Sequence, residues 1–131
     1  MGVIEDFLER YNRHDWVALA ACFSAEGYQR IGPFGDTISS SSEYVDFLAR
    51  VVPTLGSMYR LSTERVVYAE HSGFAELIEH FEVDGAERLT PEVIIFDFDA
   101  EGLISGMHLY VQRPGEVPPA GGRAAMGRRD Y

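Results

Sequence analysis

The dipeptide Asp84-Gly85 stands between two long runs, residues 76–83 and 86–98, and constrains this chain more than any other stretch. Both positions of a two-residue type I′ turn need positive φ, which Gly adopts freely and Asp tolerates, so Asp-Gly between alternating runs predicts a β-hairpin. With those two residues as the loop, Val83 pairs with Ala86, Phe81 with Arg88, Glu79 with Thr90, Leu77 with Glu92 and Ala75 with Ile94. Side chains in a strand alternate faces, so Ala75, Leu77, Glu79, Phe81 and Val83 share a face with Thr90, Glu92, Ile94, Phe96 and Phe98. That face is apolar except for Glu79, Arg88, Thr90 and Glu92. A carboxylate among Leu, Phe and Ile signals either a different register or the working group of a pocket.

The chain has 131 residues, enough for one domain with a core and too few for two. Its 46% hydrophobic and 24% charged content suits a globular fold, and its formal charge of -10 repels phosphate backbones and anionic lipid. Nucleic acid and membranes are therefore not expected as partners, and a small hydrophobic molecule is. Cys22 is the sole cysteine, so no intrachain disulfide forms. The first ten residues lack the basic start and apolar centre of a signal peptide, and Asp6 occupies the place where a myristoylation motif has Ser or Thr. No stretch approaches the roughly 18 apolar residues of a membrane span. The expectation is a soluble cytoplasmic protein.

Val3, Ile4, Phe7, Leu8 and Tyr11 recur at helical spacing and predict a first amphipathic helix. Asn12 to Asp15 interrupt it, and Asp15 caps a second helix carrying Trp16, Leu19, Ala20 and Phe23 that ends near Gly27, with Cys22 inside it as a buried inert thiol. Residues 28–31 predict a short strand closed by the loop Gly32-Pro33-Phe34-Gly35. Ser40 to Glu43 form a capping box for a third helix carrying Tyr44, Val45, Leu48, Val51 and Val52, stopped by Pro53. From Ser57 the period becomes two: a strand over 58–70, the two hairpin strands, the loop Asp99 to Gly102, and a last strand over 103–112. Helices followed by a meander of strands predict an α+β fold with the helices packed on one face of a curved antiparallel sheet. Residues 114–131, rich in Pro, Gly, Ala and Arg, read as a tail, either flexible or ordered against the body or a second subunit.

Tyr11-Asn12-Arg13-His14-Asp15-Trp16, Phe23-Ser24-Ala25-Glu26 and the run Pro91 to Ile104 together resemble the NTF2-like superfamily, in particular its SnoaL-like branch. The resemblance covers about residues 3–113, so the domain is expected to span 1–113. It implies a cone-shaped curved sheet wrapped around three N-terminal helices, enclosing a pocket, in a homodimer. The superfamily includes ketosteroid isomerases, limonene-epoxide hydrolases, polyketide cyclases and non-catalytic binding proteins, so fold alone decides no function. The Tyr and two Asp of ketosteroid isomerases fall here on Phe7, Gly32 and Ile94, which supply neither base nor oxyanion donor. The Arg and two Asp of the epoxide hydrolases fall on Leu77, Glu79 and Leu109, so only a carboxylate at Glu79 remains.

Hairpin parity and resemblance thus both put Glu79 on the inner wall. Burial there raises a carboxyl pKa and suits general acid or base work near neutral pH, with Tyr59 or Tyr28 orienting a substrate oxygen. The plain alternative is a structural Glu bonded to Thr90, Tyr59 or Tyr28. Glu92 lies diagonal to Glu79, close enough to couple with it, yet Pro91 can insert a bulge that turns it outward, and a solvated Glu at the cone mouth is the preferred reading. Phe7, Trp16, Met58, Leu77, Phe81, Ile94, Phe96, Phe98, Met107 and Leu109 are expected to line the cavity. Ile78, His80, His108 and Tyr110 have the opposite parity, and the resemblance implies a dimer contact through them; His14 and His71 sit in turns. No spacing suggests a metal site and no glycine-rich phosphate loop is present, so no cofactor is expected. The sequence therefore leads to a cofactor-independent enzyme of isomerase, dehydratase or cyclase type acting on a hydrophobic carbonyl compound, with a non-catalytic dimeric binding or scaffold protein as the alternative.

Overall fold

Ile4, Phe7, Leu8 and Tyr11, spaced three and four apart, form the buried stripe of α1 (Val3–Asn12), which Glu5 closes by accepting from the Gly2 N–H at 3.1 Å. Asp15 caps α2 (Trp16–Ala20) by accepting from the Ala18 N–H. This helix is shorter than its pattern predicts because the chain is drawn onto the last strand: Ile104 N–H donates to Cys22 O and Ser24 N–H to Ile104 O, each at 2.8 Å. Cys22 lies just past the helix and is buried. The computed structural model describes residues 2–112, and the expected tail over 114–131 lies outside the described residues.

Strand β1 (Gln29–Ile31) turns through Gly32 to Asp36 into β2 (Thr37–Ile38), a strand the sequence reading missed. The Ser40 hydroxyl accepts from the Glu43 N–H and starts α3 (Ser41–Val51). Pro53 does not end the helical path: it sits in the first turn of a 3-10 turn over Val52–Leu55, where its missing N–H costs nothing. The meander follows as β3 (Arg60–Tyr68), β4 (Ser72–Val83), β5 (Ala86–Phe98) and β6 (Ile104–Val111).

The hairpin has the predicted register, from Val83 opposite Ala86 to Ala75 opposite Ile94, with Asp84 and Gly85 at φ of 52° and 78°. The six strands form one curved, unclosed sheet in the order β2-β1-β6-β5-β4-β3. It is not wholly antiparallel, because β1 runs parallel to β6, with Arg30 opposite Met107. Irregularities at Thr63/Arg65 and Asp97/Phe98 bend the long strands, as bulges do.

The core fills the concave side. Phe7 on α1 is fully buried edge-on to Phe96 at 5.4 Å and to Phe23 at 6.0 Å. Ile4, Leu19, Leu77 and Ile104 complete the most deeply buried set. On the other side of the sheet Ile95 and Tyr110 are exposed, His108 stacks on Tyr110, and His80 is tied to Ser62 and Glu87. Among the described residues no helix is long and apolar enough to cross a membrane.

Candidate active site

Glu79 and Glu92 come from adjacent strands of the hairpin, on the same face, one pair out of register: Glu79 is opposite Thr90 and Glu92 opposite Leu77. Both border a cavity of about 220 Å³ between the sheet, α3 and the β1–β2 turn, together with Tyr11, Tyr59, Arg30 and Leu109. Glu79 is partly buried and also borders an adjoining hollow lined by Phe34, Phe81, Arg88 and Leu89. It thus stands where the inner cavity meets the outer surface.

A chain of hydroxyls holds Glu79. Tyr59 OH donates to Glu79 Oε2 at 2.7 Å, so its oxygen is left to accept from Tyr11 OH at 2.6 Å. Burial, reinforced by the neighbouring phenols and carboxylates, raises both phenols above their ordinary range and keeps them protonated donors. The chain exists because Asn12, at the end of α1, pairs with the β3 edge like another strand, its side chain bonding both Leu61 N–H and Leu61 O at 2.8 Å. That clamp sets Tyr11 against Tyr59.

Glu92 corrects the sequence reading. Pro91 introduces no bulge, the ladder runs through it, and Glu92 is 7% exposed rather than solvated at a mouth. Burial first, and the charge of Glu79 second, push its carboxyl up to about 8, with Arg30 pulling the other way. At neutral pH this side chain is a carboxylic acid with a proton to donate.

Arg30 escaped the sequence reading altogether. It is 6% exposed, beside the cavity, with its guanidinium carbon 5.3 Å from the ring centres of both Tyr44 and Phe47. The signal was present: a period of two from Tyr28 puts Arg30 on the same face of a strand.

Several expected lining residues lie elsewhere. Phe7, Leu77, Ile94, Phe96 and Met107 are core, with Phe7 of α1 packed edge-on to Phe96 and Met107 met by the Tyr28 hydroxyl. Tyr28 is buried with its hydroxyl donating to Met107 Sδ at 3.2 Å, outside the cavity. Met58 is 66% exposed, since the strand begins later than expected and Tyr59 takes the inward position. Trp16 packs edge-on to Tyr11 and faces a separate hollow with His14 and Pro53, while Phe98 stacks on Tyr68. Of the expected set Tyr59, Glu79, Glu92 and Leu109 meet at the cavity, with Phe81 in the adjoining hollow. Among the described residues no group of three His, Cys, Asp or Glu is placed to hold a metal ion.

No family model and no curated protein matches the chain. Solved structures do. A protein with a ketosteroid isomerase-like fold from Catenulispora acidiphila DSM 44928, in complex with trimethylamine, superposes with a TM-score of 0.71 at 13% identity over 82% of this chain and 83% of that one. A Shewanella denitrificans OS-217 protein, provisionally described as a SnoaL-like polyketide cyclase, gives 0.73 at 11% identity over 84% and 88%. An NTF2-like protein of unknown function from Burkholderia pseudomallei K96243 gives 0.73 at 17% identity over 84% and 88%.

Proposed function

From the NTF2-like fold, which this chain adopts, we propose that its cavity moves a proton on a small hydrophobic carbonyl compound, without a cofactor, in an isomerase, dehydratase or cyclase type of reaction. The observation that carries the reading is the pair of carboxyl groups on one wall with different surroundings: Glu79 bonded by Tyr59 and open to two hollows, Glu92 buried and holding its proton. Groups whose environments separate their proton affinities divide acid and base roles between them.

In this reading Glu79 is the base. It removes a proton from the carbon next to the carbonyl, and the electron pair moves onto the carbonyl oxygen. Glu92 donates a hydrogen bond to that oxygen as its charge grows, and in a dry site such a donor lowers the barrier most where charge develops. Glu79 then returns the proton to the same or a neighbouring carbon. Tyr59 orients the base rather than the substrate, because its hydroxyl hydrogen is already given to Glu79. The cavity, at about 220 Å³, lies below the roughly 300–1,000 Å³ of drug-sized sites and suits a small molecule.

Exchange of α-hydrogens in D2O, followed by NMR on phenylacetone and levulinate, tests the reading. The protein is expected to accelerate exchange for at least one of them, and Glu79→Gln to reduce that acceleration by about a hundredfold or more. No acceleration, or full acceleration with Glu79→Gln, contradicts it. A binding protein without chemistry is the second reading. It is favoured by one observation: Phe7 and Ile94, on places that carry catalytic groups in the resembling isomerases, are buried apolar core.

A further inference from the structure

Arg30 is a buried cation short of acceptors. Its side chain is 8% exposed, yet its ion pair among the described residues is a single contact from Nη1 to Asp36 Oδ2 at 3.3 Å, and Asp36 is itself half-exposed. Charge-assisted N–H···O bonds are normally about 2.7–2.9 Å, so this one is slack. Nε–H has no acceptor among the described residues. A guanidinium carries five donors, and burying it is costly unless an anion and further hydrogen bonds compensate.

The surroundings hold the guanidinium against two rings and give it one slack, half-exposed counter-ion. Tyr44 and Phe47 of α3 each lie 5.3 Å from its central carbon, ring centre to carbon, and the Tyr44 hydroxyl interacts with it as well. The groups that face the same cavity are Asp36 from the β1–β2 turn, Glu79 from β4, Glu92 from β5, Tyr44 from α3, Tyr59 before β3 and Tyr11 from α1. None of the carboxyls except Asp36 pairs with Arg30 among the described residues. Glu92 shares the cavity with Arg30 and remains a neutral acid, so the space between them is bounded by a cation on one side and a hydrogen-bond donor on the other.

We propose that the small molecule is an oxo acid, its carboxylate seated on Arg30 and its carbonyl lying between Glu79 and Glu92. This rests on the proton-transfer reading for the placement of the carbonyl, while the carboxylate anchor stands on Arg30 alone. The long Asp36 contact is the one the ligand replaces: Asp36 returns to solvent and the ligand's two oxygens take the guanidinium edge-on. A planar fork recognises a carboxylate in two parallel bonds, which a Lys in its place does not reproduce.

Calorimetry with levulinate, an oxo acid, against its neutral amide tests the anchor at about pH 7. Levulinate is expected to bind about tenfold more tightly than the amide or better, the scale of a charge-assisted hydrogen bond. Arg30→Gln, and Arg30→Lys as the variant that keeps the charge, are expected to remove most of that preference while far-UV circular dichroism stays native. Glu79→Gln is expected to retain levulinate binding and lose α-hydrogen exchange, which separates the two claims. Levulinate bound by the unmodified protein, with no accelerated exchange of either levulinate or phenylacetone, upholds the anchor and ends the proton-transfer reading. Equal affinity for acid and amide, no levulinate binding at about 10 mM, or binding of tetramethylammonium in its place overturns the anchor.

Discussion

Replacing Glu92 by Gln keeps the outline of the side chain and removes the charge that burial disfavours, so the two proteins separate the effect of the proton from that of shape. In the folded chain Glu92 releases its proton at about 8, against an ordinary value of 4.5, chiefly through burial and then through Glu79. Between those two values the native state holds a proton that the unfolded state has lost, so raising the pH favours unfolding. The native protein is therefore expected to lose stability relative to Glu92→Gln as pH rises from about 4.5 to about 8, by a few kcal/mol in all, and to run parallel to it above. Thermal melts across that range check this, and parallel curves throughout contradict it. The same proton sets the alkaline limit of the proposed reaction, because above about 8 Glu92 can no longer donate to the carbonyl oxygen. Tyr59 and Tyr11 impose no limit of their own there, since burial keeps both protonated.

The elements that position these residues depend on one turn. Asp84 and Gly85 both lie at positive φ, and a branched residue at the second position pays for left-handed backbone without compensation. Gly85→Val is expected to cost about 1–2 kcal/mol in urea unfolding with little change in the slope, and an unchanged midpoint contradicts the turn's role. That hairpin was legible in the sequence because two independent signals, turn chemistry and alternation, agree on one register. Strand β2 was not legible, for two residues carry no period, and it exists only by pairing with β1. The early end of α2 was equally hidden: Cys22 and Ser24 leave helical geometry to bond Ile104, a partner some eighty residues away. Glu79 could be placed by parity, but Glu92 was misplaced because Pro91 suggested a bulge that the long ladder absorbs. Arg30 was hard to read because a strand of three residues carries little periodicity, and an Arg on it is by default exposed.

Across the whole molecule the division between core and cavity is a matter of volume, which parity cannot supply. The inner face of the sheet is apolar over most of its area, broken by Arg30, Glu79 and Glu92, yet α1, α2 and the turn after α2 fill one part of it with Phe7, Leu19 and Phe23, while α3 stands off the rest and leaves the cavity. That is why Phe96 and Leu77 are core whereas Leu109 and Glu92 border open space. The net charge of -10 slows the approach of an anionic ligand, so a buried Arg30 is the local exception that the proposed substrate needs. The proposed chemistry requires Glu92 to be neutral beside Glu79 in the intact fold. The most direct measurement is a carboxyl carbon NMR titration of the protein labelled at glutamate. One signal is expected to titrate near 8 and to vanish in Glu92→Gln; glutamate signals that all titrate below about 5 contradict the account.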